Sequence, residues 1–412
     1  MSVGRAIASV VTALYLAAIG FSAVEIGALF VVVTVASGVM SSVIGLLADR
    51  WGRKPFLVAV PLLCAGAGVV YAESRATALL FCAAALGSFG RGMGASAGNV
   101  GPYQPAESAL VADSVRGERR AAAFGRIAFA SSLGALIGGL LTEIVHTSRH
   151  MTAAQATAAY RPAFLAAAAL AVGAGLLALL IQEPQRPPER AGEARRTFRW
   201  PRRSWPVLWR FWMTNAVNGA AIGMFGPFVS YWLYRRYGAT PGTIGLLFAI
   251  VNLGSLASAL AAAPVARALG TIRAIIAVRA VGGALILPMV LSPTFWIAGA
   301  CYILRMVLWW IGMPLRQSFI QDLAHPEERA SVTALSNLPS QVTTAAGQGI
   351  AGYLFDEVSL SAPFELAAVF QFANAFLYAV FFARRPPRQE PDIGSEPLVP
   401  AAAELAGAGD VV

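Results

Sequence analysis

Two arginines lie inside long apolar stretches of this 412-residue chain, where a charged side chain is costly and therefore suggests a function. Arg91 stands in the sequence GRGMG, and Arg305 stands in ILRM, 17 residues before Asp322. Because a helix rises about 1.5 Å per residue, Arg305 lies roughly 25 Å from Asp322 along the helix. Each arginine could bind an anionic group of a substrate or a coupling carboxylate. Each could instead bond neighbouring helices or reach a membrane surface.

Glu107, Asn215 and Asn218 are the other candidates for a substrate or coupling site. Proton coupling needs an acid that gains and loses a proton, and Glu107 is the best placed of the few acids near the apolar stretches. It could equally form a structural bridge with Arg126 or Arg316. Asn215 and Asn218, three residues apart, share one face of a helix. They could orient a polar substrate, or they could bond another helix.

No other catalytic or binding chemistry is indicated. His146 and His150 lie in one loop and His325 in another, away from any nucleophile or metal partner in the apolar stretches. The phosphate-binding pattern GxxxxGK[ST] is missing. The three cysteines are too scattered for a disulfide framework or a metal-binding spacing. We therefore expect no enzyme activity, no cofactor and no metal.

The elements that must position these residues are membrane-spanning helices. The chain is 57% apolar and 13% charged, with a mean hydropathy of +0.63, whereas soluble domains are about 25% charged. Its apolar stretches are long enough to cross a bilayer, and in lipid such stretches must be helical. We predict an all-α integral membrane protein with twelve transmembrane helices. They lie near residues 3–20, 24–47, 55–72, 77–100, 121–143, 161–182, 207–232, 242–264, 272–291, 294–315, 330–354 and 362–383.

The net charge of +10 follows the loops between these spans. About 22 arginine and lysine side chains, Arg316 among them, fall on the side that holds both termini, and five fall on the other side. This asymmetry is the positive-inside rule, so we expect both termini in the cytoplasm and the protein in the cell inner membrane. The basic excess therefore does not indicate a nucleic acid partner.

The two halves of the sequence repeat at an offset of 218 residues. Matching positions are Gly20, Ile26, Gly27, Leu29, Phe30, Ser37, Ala48 and Gly52 with Gly238, Ile244, Gly245, Leu247, Phe248, Ser255, Ala266 and Gly270. A duplicated membrane domain is typical of alternating-access transporters. We predict two pseudo-symmetric six-helix bundles over residues 1–182 and 207–385, a cytoplasmic linker over 183–206 and a disordered cytoplasmic tail over 386–412. The first span is short by this offset, so we expect its true start upstream of Met1.

A charged motif, GLLADRWGRK, occupies residues 45–54 between the second and third spans. It resembles the signature loop of the major facilitator superfamily, GxLADRxGR(K/R), at nearly every position. The resemblance implies that Asp49 faces the start of span eleven and that Arg53 pairs with Asp113, which closes the cytoplasmic side. The residues of this gate motif are Gly45, Asp49, Arg50, Gly52, Arg53, Lys54 and Asp113. The second-half counterpart has Arg267 in place of Asp49.

The resemblance also implies a secondary active transporter that moves a small organic solute by alternating access. Residues 131–139 resemble the antiporter motif, with its double glycine but with Ala135 in place of its proline. We expect proton-coupled efflux by a monomer, whose partners are the solute, membrane lipid and protons. The alternative is uptake or facilitated passage of an anionic metabolite, which Arg91 and Arg305 favour. A membrane-integral enzyme or sensor is disfavoured, because the chain has no catalytic set and no soluble signalling domain.

Overall fold

The computed structural model describes residues 1–88, 101–114, 117–145, 151–181, 201–323, 325, 328, 332 and 335–383. The regular structure of these residues is helical, which confirms the predicted all-α class. The first half contains α1 (Ser2–Ala18), α2 (Ala23–Trp51), α3 (Lys54–Glu73), α4 (Thr77–Gly87), α5 (Gln104–Ser114), α6 (Gly117–Leu141), a 3₁₀ turn (Thr142–Ile144) and α7 (Ala153–Leu179). The second half contains α8 (Trp205–Phe225), α9 (Val229–Tyr237), α10 (Pro241–Leu269), α11 (Thr271–Ala284), α12 (Ile286–Leu291), α13 (Phe295–Leu323), α14 (Leu338–Glu357) and α15 (Ala362–Phe382).

Seven helical segments of the described residues, of 20 to 27 residues each, are long and apolar enough to cross a membrane. They lie in α2, α3, α6, α7, α11 with α12, α13 and α15, while α1, α4 and the first part of α10 are shorter apolar helices. Large hydrophobic side chains such as Leu177 and Phe376 are 67% exposed on their outer faces. Such a surface suits lipid, so the chain is a multi-pass membrane protein.

Two predicted spans are each divided into two helices. The span predicted over 207–232 consists of α8 and α9, separated by three residues that include Pro227. The span predicted over 272–291 consists of α11 and α12, separated at Leu285, shortly before Pro288. Proline has no backbone N–H to donate, and its ring clashes with the carbonyl one turn earlier. Each of these two predicted spans is therefore built from two helices instead of one.

Other helix ends also differ from the predicted spans. α7 begins at Ala153, eight residues before the predicted span, and so shortens the loop that precedes it. The span predicted over 77–100 begins as α4, which ends at Gly87. Residues 89–100, which include Arg91, lie outside the described residues.

The predicted repeat is confirmed for α2 and α10. Each helix has 29 residues, and their ends are 218 positions apart. Gly20 and Gly238 precede them with φ angles of 101° and 66°, and Gly52 and Gly270 follow them with φ angles of 85° and 79°. These positive angles suit glycine, which has no Cβ atom to clash with the backbone. The four matched glycines therefore mark equivalent turns in the two halves.

In the described part of the chain, the hydrophobic core joins the two halves at one end of the helices and not at the other. We call the end at which α2 begins the Gly20 end and the opposite end, where α3 begins, the Gly52 end. At the Gly20 end one buried cluster draws on both halves, and the rings of Phe30 and Phe228 are 5.6 Å apart within it. At the Gly52 end each half has its own cluster. The first-half cluster contains Ile44, Ala48, Leu57, Val60, Ala106 and Ala178, and the second-half cluster includes Phe211, Ile275, Phe319, Leu335 and Phe382.

Two helix crossings close the Gly20 end, α2 on α14 and α6 on α10. Both are built on glycines that leave no room for a side chain. A Cβ atom on Gly27 would lie 2.8 Å from the carbonyl oxygen of Gln348, and one on Gly139 would lie 2.6 Å from that of Gly245. Small residues pack membrane helices through such close backbone approach. The double glycine of the antiporter-like motif is thus explained by packing, since Gly138 also abuts α1.

Candidate substrate cavity and gate

The guanidinium group of Arg305 lies over an aromatic ring rather than beside a carboxylate. Its Cζ atom is 3.7 Å from the centroid of the Phe225 ring, and its Nη1 atom is 3.8 Å from the sulfur of Met306. The side chain is 5% exposed, and its Nε atom has no hydrogen-bond partner in the described part of the chain. A cation–π contact satisfies the charge only in part. The Arg305 guanidinium has no carboxylate partner among the described residues.

A small cavity lies beside Arg305 where α8 ends. Its volume is about 30 Å³, and its lining residues are Ile222, Phe225, Gly226, Tyr302, Arg305, Met306 and Trp309. A space of this size admits a water molecule or a small polar group. The break between α8 and α9 forms one wall, and interrupted helices are typical of binding sites in membrane transporters. Arg305 supplies the charge of this otherwise largely apolar and aromatic lining.

Asn215 holds helices of the second half together in this conformation. Its Nδ2 atom donates to the backbone carbonyl of Ser336 at 2.6 Å, and its Oδ1 atom accepts from Arg316 at 2.7 Å. Arg316 also donates to Asn337 at 3.4 Å. The prediction that Arg316 lies in a loop was wrong, because α13 continues to Leu323 and keeps this side chain inside the helix packing at 8% exposure.

Asn218 bonds a buried arginine that is absent from the predicted sites. Its Oδ1 atom accepts a hydrogen bond from Arg279 of α11, and both side chains are buried. Arg279 lies within the span predicted over 272–291, so the rule that points to Arg305 would also have found it. Asn215 contacts α13 while Asn218 contacts α11, and neither lines the Arg305 cavity.

Arg279, Arg305 and Arg316 form no ion pair with a carboxylate among the described residues. The ion pair found within that part of the chain joins Arg161 and Glu73 at 2.6 Å, on the surface of the first half. The three buried cations are instead held by amide oxygens or by an aromatic ring. Buried charges are usually paired because their desolvation is costly. The interior of the second half therefore carries positive charge that a bound anion would offset.

Glu107 lies on α5, half-buried, in the neighbourhood of Arg5 on α1. Arg5 is 6% exposed, and its Cζ atom is 5.5 Å from the centroid of the Tyr103 ring. Tyr103 lies within electrostatic reach of both Arg5 and Glu107. Between described residues, no ion pair joins Glu107 to either predicted bridging partner, Arg126 or Arg316. The sequence predictions missed Arg5, which is a charged residue in the first turns of an apolar helix.

The gate motif spans the junction between α2 and α3. Arg53 is 7% exposed, and Lys54 begins α3. Gly45 faces α5, and a Cβ atom there would lie 3.9 Å from the Cβ atom of Pro105, so this conformation has room for alanine. The side chains of Asp49, Arg50 and Asp113 lie outside the described part of the chain. The pairing of the motif with Asp113 stays a prediction.

Sequence comparison decides the family. A sequence model described as Major Facilitator Superfamily matches residues 1–338 and 211–408. The chain belongs to the Major Facilitator Superfamily. The predicted resemblance is thereby confirmed. A relative in Bacillus subtilis (strain 168), the uncharacterized MFS-type transporter YceJ, is 27% identical over 173 residues, which span 42% of this chain and 43% of that protein.

Solved transporter structures share the fold of this superfamily member along nearly its full length. The inward-open conformation of the xylose transporter XylE from E. coli gives a TM-score of 0.70 at 12% identity and covers 92% of this chain and 93% of its own. The nucleoside transporter NupG gives 0.69 at 13% identity, over 93% and 97% of the two chains. A bacterial homolog of the human lysosomal transporter Spinster gives 0.66 at 14% identity, over 93% and 92%. At identities this low, the structural similarity establishes the twelve-helix fold but does not establish which solute is carried.

Proposed function

We propose that this superfamily member moves a small organic solute with a negatively charged group across the membrane by alternating access. The observation that carries the proposal is the Arg305 guanidinium, buried beside a cavity at a helix break and without a carboxylate partner among the described residues. A buried cation is costly until an anion pairs with it. A bound anionic solute therefore stabilises the site. Arg91 of the first half supplies a second anion contact in this proposal.

The difference between the two ends of the molecule supports alternating access. The halves share a core at the Gly20 end and have separate cores at the Gly52 end. The distribution of arginine and lysine favours a cytoplasmic Gly52 end, cytoplasmic termini and the cell inner membrane. With this assignment the conformation faces the cytoplasm. The gate motif, with Asp49, Arg53 and Asp113, closes that end in the opposite conformation, and a monomer suffices for the cycle.

Two modes of transport fit this proposal. In uptake or facilitated passage of an anionic metabolite, the three buried arginines of the second half favour the negative charge of the cargo. Proton-coupled efflux is favoured by Glu107, a half-buried carboxylate without an ion pair among the described residues, which can exchange a proton between the two conformations.

Transport by the purified protein in liposomes tests the substrate class. Solutes of similar size, one neutral and one with a carboxylate, are supplied with an imposed proton gradient. We expect the carboxylate to be carried and Arg305→Ala to reduce its transport at least about tenfold, which corresponds to about 1.4 kcal/mol. Arg273→Ala, which removes an exposed arginine at the start of α11, is the matched control. Preference for the neutral solute, or unchanged transport by Arg305→Ala, would contradict the proposal.

The same liposomes test the coupling. We expect Glu107→Gln to abolish the response of transport to the proton gradient while exchange of solute at equal concentrations continues. If collapsing the gradient has no effect on the unmodified protein, coupling to protons is wrong and facilitated passage of the anion stands.

A further inference from the structure

A carboxylate of the second half is bound at the N-terminus of a first-half helix. The Asp356 side chain, near the end of α14, accepts hydrogen bonds from the backbone N–H groups of Ala23 at 3.1 Å and Val24 at 2.9 Å. These are the first two residues of α2. Because the first N–H groups of a helix have no partner within the helix, an external carboxylate satisfies them and opposes the partial positive charge there.

The reciprocal contact joins the first half to a second-half helix. Glu143, in the 3₁₀ turn after α6, places its carboxylate against Gly242, the second residue of α10. A Cβ atom on Gly242 would overlap this carboxylate. The hydroxyl of Thr142 lies 2.9 Å from the carbonyl oxygen of Pro241 at the same helix end. An acid of the other half thus lies against the start of α10 as well, although among the described residues it accepts no backbone hydrogen bond there, whereas Asp356 accepts two at the start of α2.

The internal repeat relates these two contacts. Val24 and Gly242, the second residues of α2 and α10, are 218 positions apart, and the two acids, Glu143 and Asp356, are 213 positions apart. The crossing glycines follow the same two offsets, Gly27 with Gly245 and Gly139 with Gly352. Each acid follows its glycine by four residues, which is about one helical turn, with Asp356 on α14 and Glu143 in the 3₁₀ turn after α6. The Gly20 end therefore contains two related arrangements, each a glycine crossing with an acid beside the N-terminus of the opposing helix.

We infer that Asp356 and Glu143 form a latch that holds the Gly20 end closed and sets the balance between the two conformations of the transport cycle. Both side chains are exposed, and a charge at an exposed helix terminus changes an equilibrium by roughly two- to fivefold. A latch made of two such contacts favours closure and still opens in every cycle. Both are positioning residues, since neither lines the Arg305 cavity. The inference rests on alternating access but not on the anionic substrate.

Distances between spin labels in lipid membranes test the latch without a substrate. Cys64, Cys82 and Cys301 are first replaced in the full chain, and labels are attached to Ala76→Cys and Leu291→Cys, exposed positions at the Gly20 end on opposite halves. We expect short distances to dominate in the parent protein. In Asp356→Asn and in Glu143→Gln the ratio of long to short distances should rise about two- to fivefold. In the double variant the two increases should multiply.

The matched control is Glu357→Gln, which removes the same charge one residue after Asp356. Among the described residues Glu357 makes no hydrogen bond or ion pair, so we expect the distances to stay those of the parent. Gly242→Ala offers a second route, because its methyl group must displace the Glu143 carboxylate while leaving its charge in place. Gly282→Ala, where a Cβ atom meets nothing within 4 Å, is its control.

Unchanged distances in both single variants and the double variant, or an equal change in Glu357→Gln, would overturn the latch. Loss of anion transport with intact distance changes would instead contradict the proposed substrate.

Discussion

The two ends of the molecule are held together in different ways. At the Gly20 end aromatic rings of both halves meet, as Phe30 and Phe228 do at 5.6 Å. At the Gly52 end aromatic rings of the second half contact rings of the same half, as Phe211 and Phe382 do with ring centroids 5.0 Å apart. At the Gly52 end each half is therefore packed on its own, while at the Gly20 end the two halves share one core. A rocking motion of two bundles about a central site requires this arrangement.

Polar contacts at helix N-termini show the same contrast. At the Gly20 end Asp356 of the second half covers the start of α2 in the first half. At the Gly52 end Glu328 accepts backbone hydrogen bonds from Arg203 at 3.2 Å and Ser204 at 2.7 Å, just before α8. Glu328 belongs to the same half as α8. The same type of contact joins the halves at one end and reinforces a single half at the other.

The largest effect is expected from Asn215→Leu, which breaks the internal order of the second half near its Gly52 end. The change removes the acceptor of Arg316 and leaves a buried charge with one bond fewer. We expect the free energy of unfolding to fall by about 3 kcal/mol, because a buried charged donor that loses its acceptor is left with an uncompensated desolvation cost. Thermal unfolding of the purified protein measures this. Asn252→Leu is the control, since the Asn252 amide donates to Phe248 of its own helix, and a similar loss there would contradict the argument.

A smaller effect is expected from Gly352→Leu, which acts on the joint between the halves. A Cβ atom at Gly352 would lie 2.5 Å from the carbonyl oxygen of Ala23, so α2 and α14 must separate. We expect a cost of about 1–3 kcal/mol from overpacking and a longer distance between the labels at the Gly20 end. Gly66→Leu, at an exposed position where a Cβ atom meets nothing within 4 Å, should change neither quantity. Equal effects of both variants would mean that the crossing is not the joint.

The smallest effect is expected from Glu328→Gln and depends on pH. Desolvation acts to raise the pKa of Glu328, but hydrogen bonds from the Ser204 hydroxyl and from the backbone of Ser204 and Arg203 together outweigh it and hold the pKa below its ordinary value. A lowered carboxyl pKa contributes stability that is present above its unfolded value, near pH 4.5, and is lost as the pH falls through the folded value. The melting temperatures of the parent and Glu328→Gln should therefore differ at neutral pH and converge in acid. A constant difference at all pH values would contradict this cause.

The sequence was most informative where the deciding interactions are local. Apolar length and the repeat predicted α2 and α10, because helix formation and the glycine turns depend on neighbouring residues. They did not predict the break near Pro227, since a proline in a membrane helix either kinks it or ends it according to what its neighbours can satisfy. Arg305 was recognised as a charge in an apolar stretch, but its partner Phe225 is distant in the chain. Arg279 is also a charged residue in an apolar stretch, so the same rule would have identified it.

The sequence is enough to predict the twelve apolar helices, their order, the repeat and the gate motif, because each is recognised from residue types and their spacing along the chain. It could not indicate which end of the bundle is joined. Asp356 and Ala23 are 333 positions apart, and Asn215 and Arg316 are 101 apart, so only the packing of the helices brings them into contact. Asp356 and Glu143 look like ordinary surface acids in the sequence. Their place on the helix ends of the opposite half is a property of the assembled fold, since a helix terminus attracts a carboxylate only within about a turn of it.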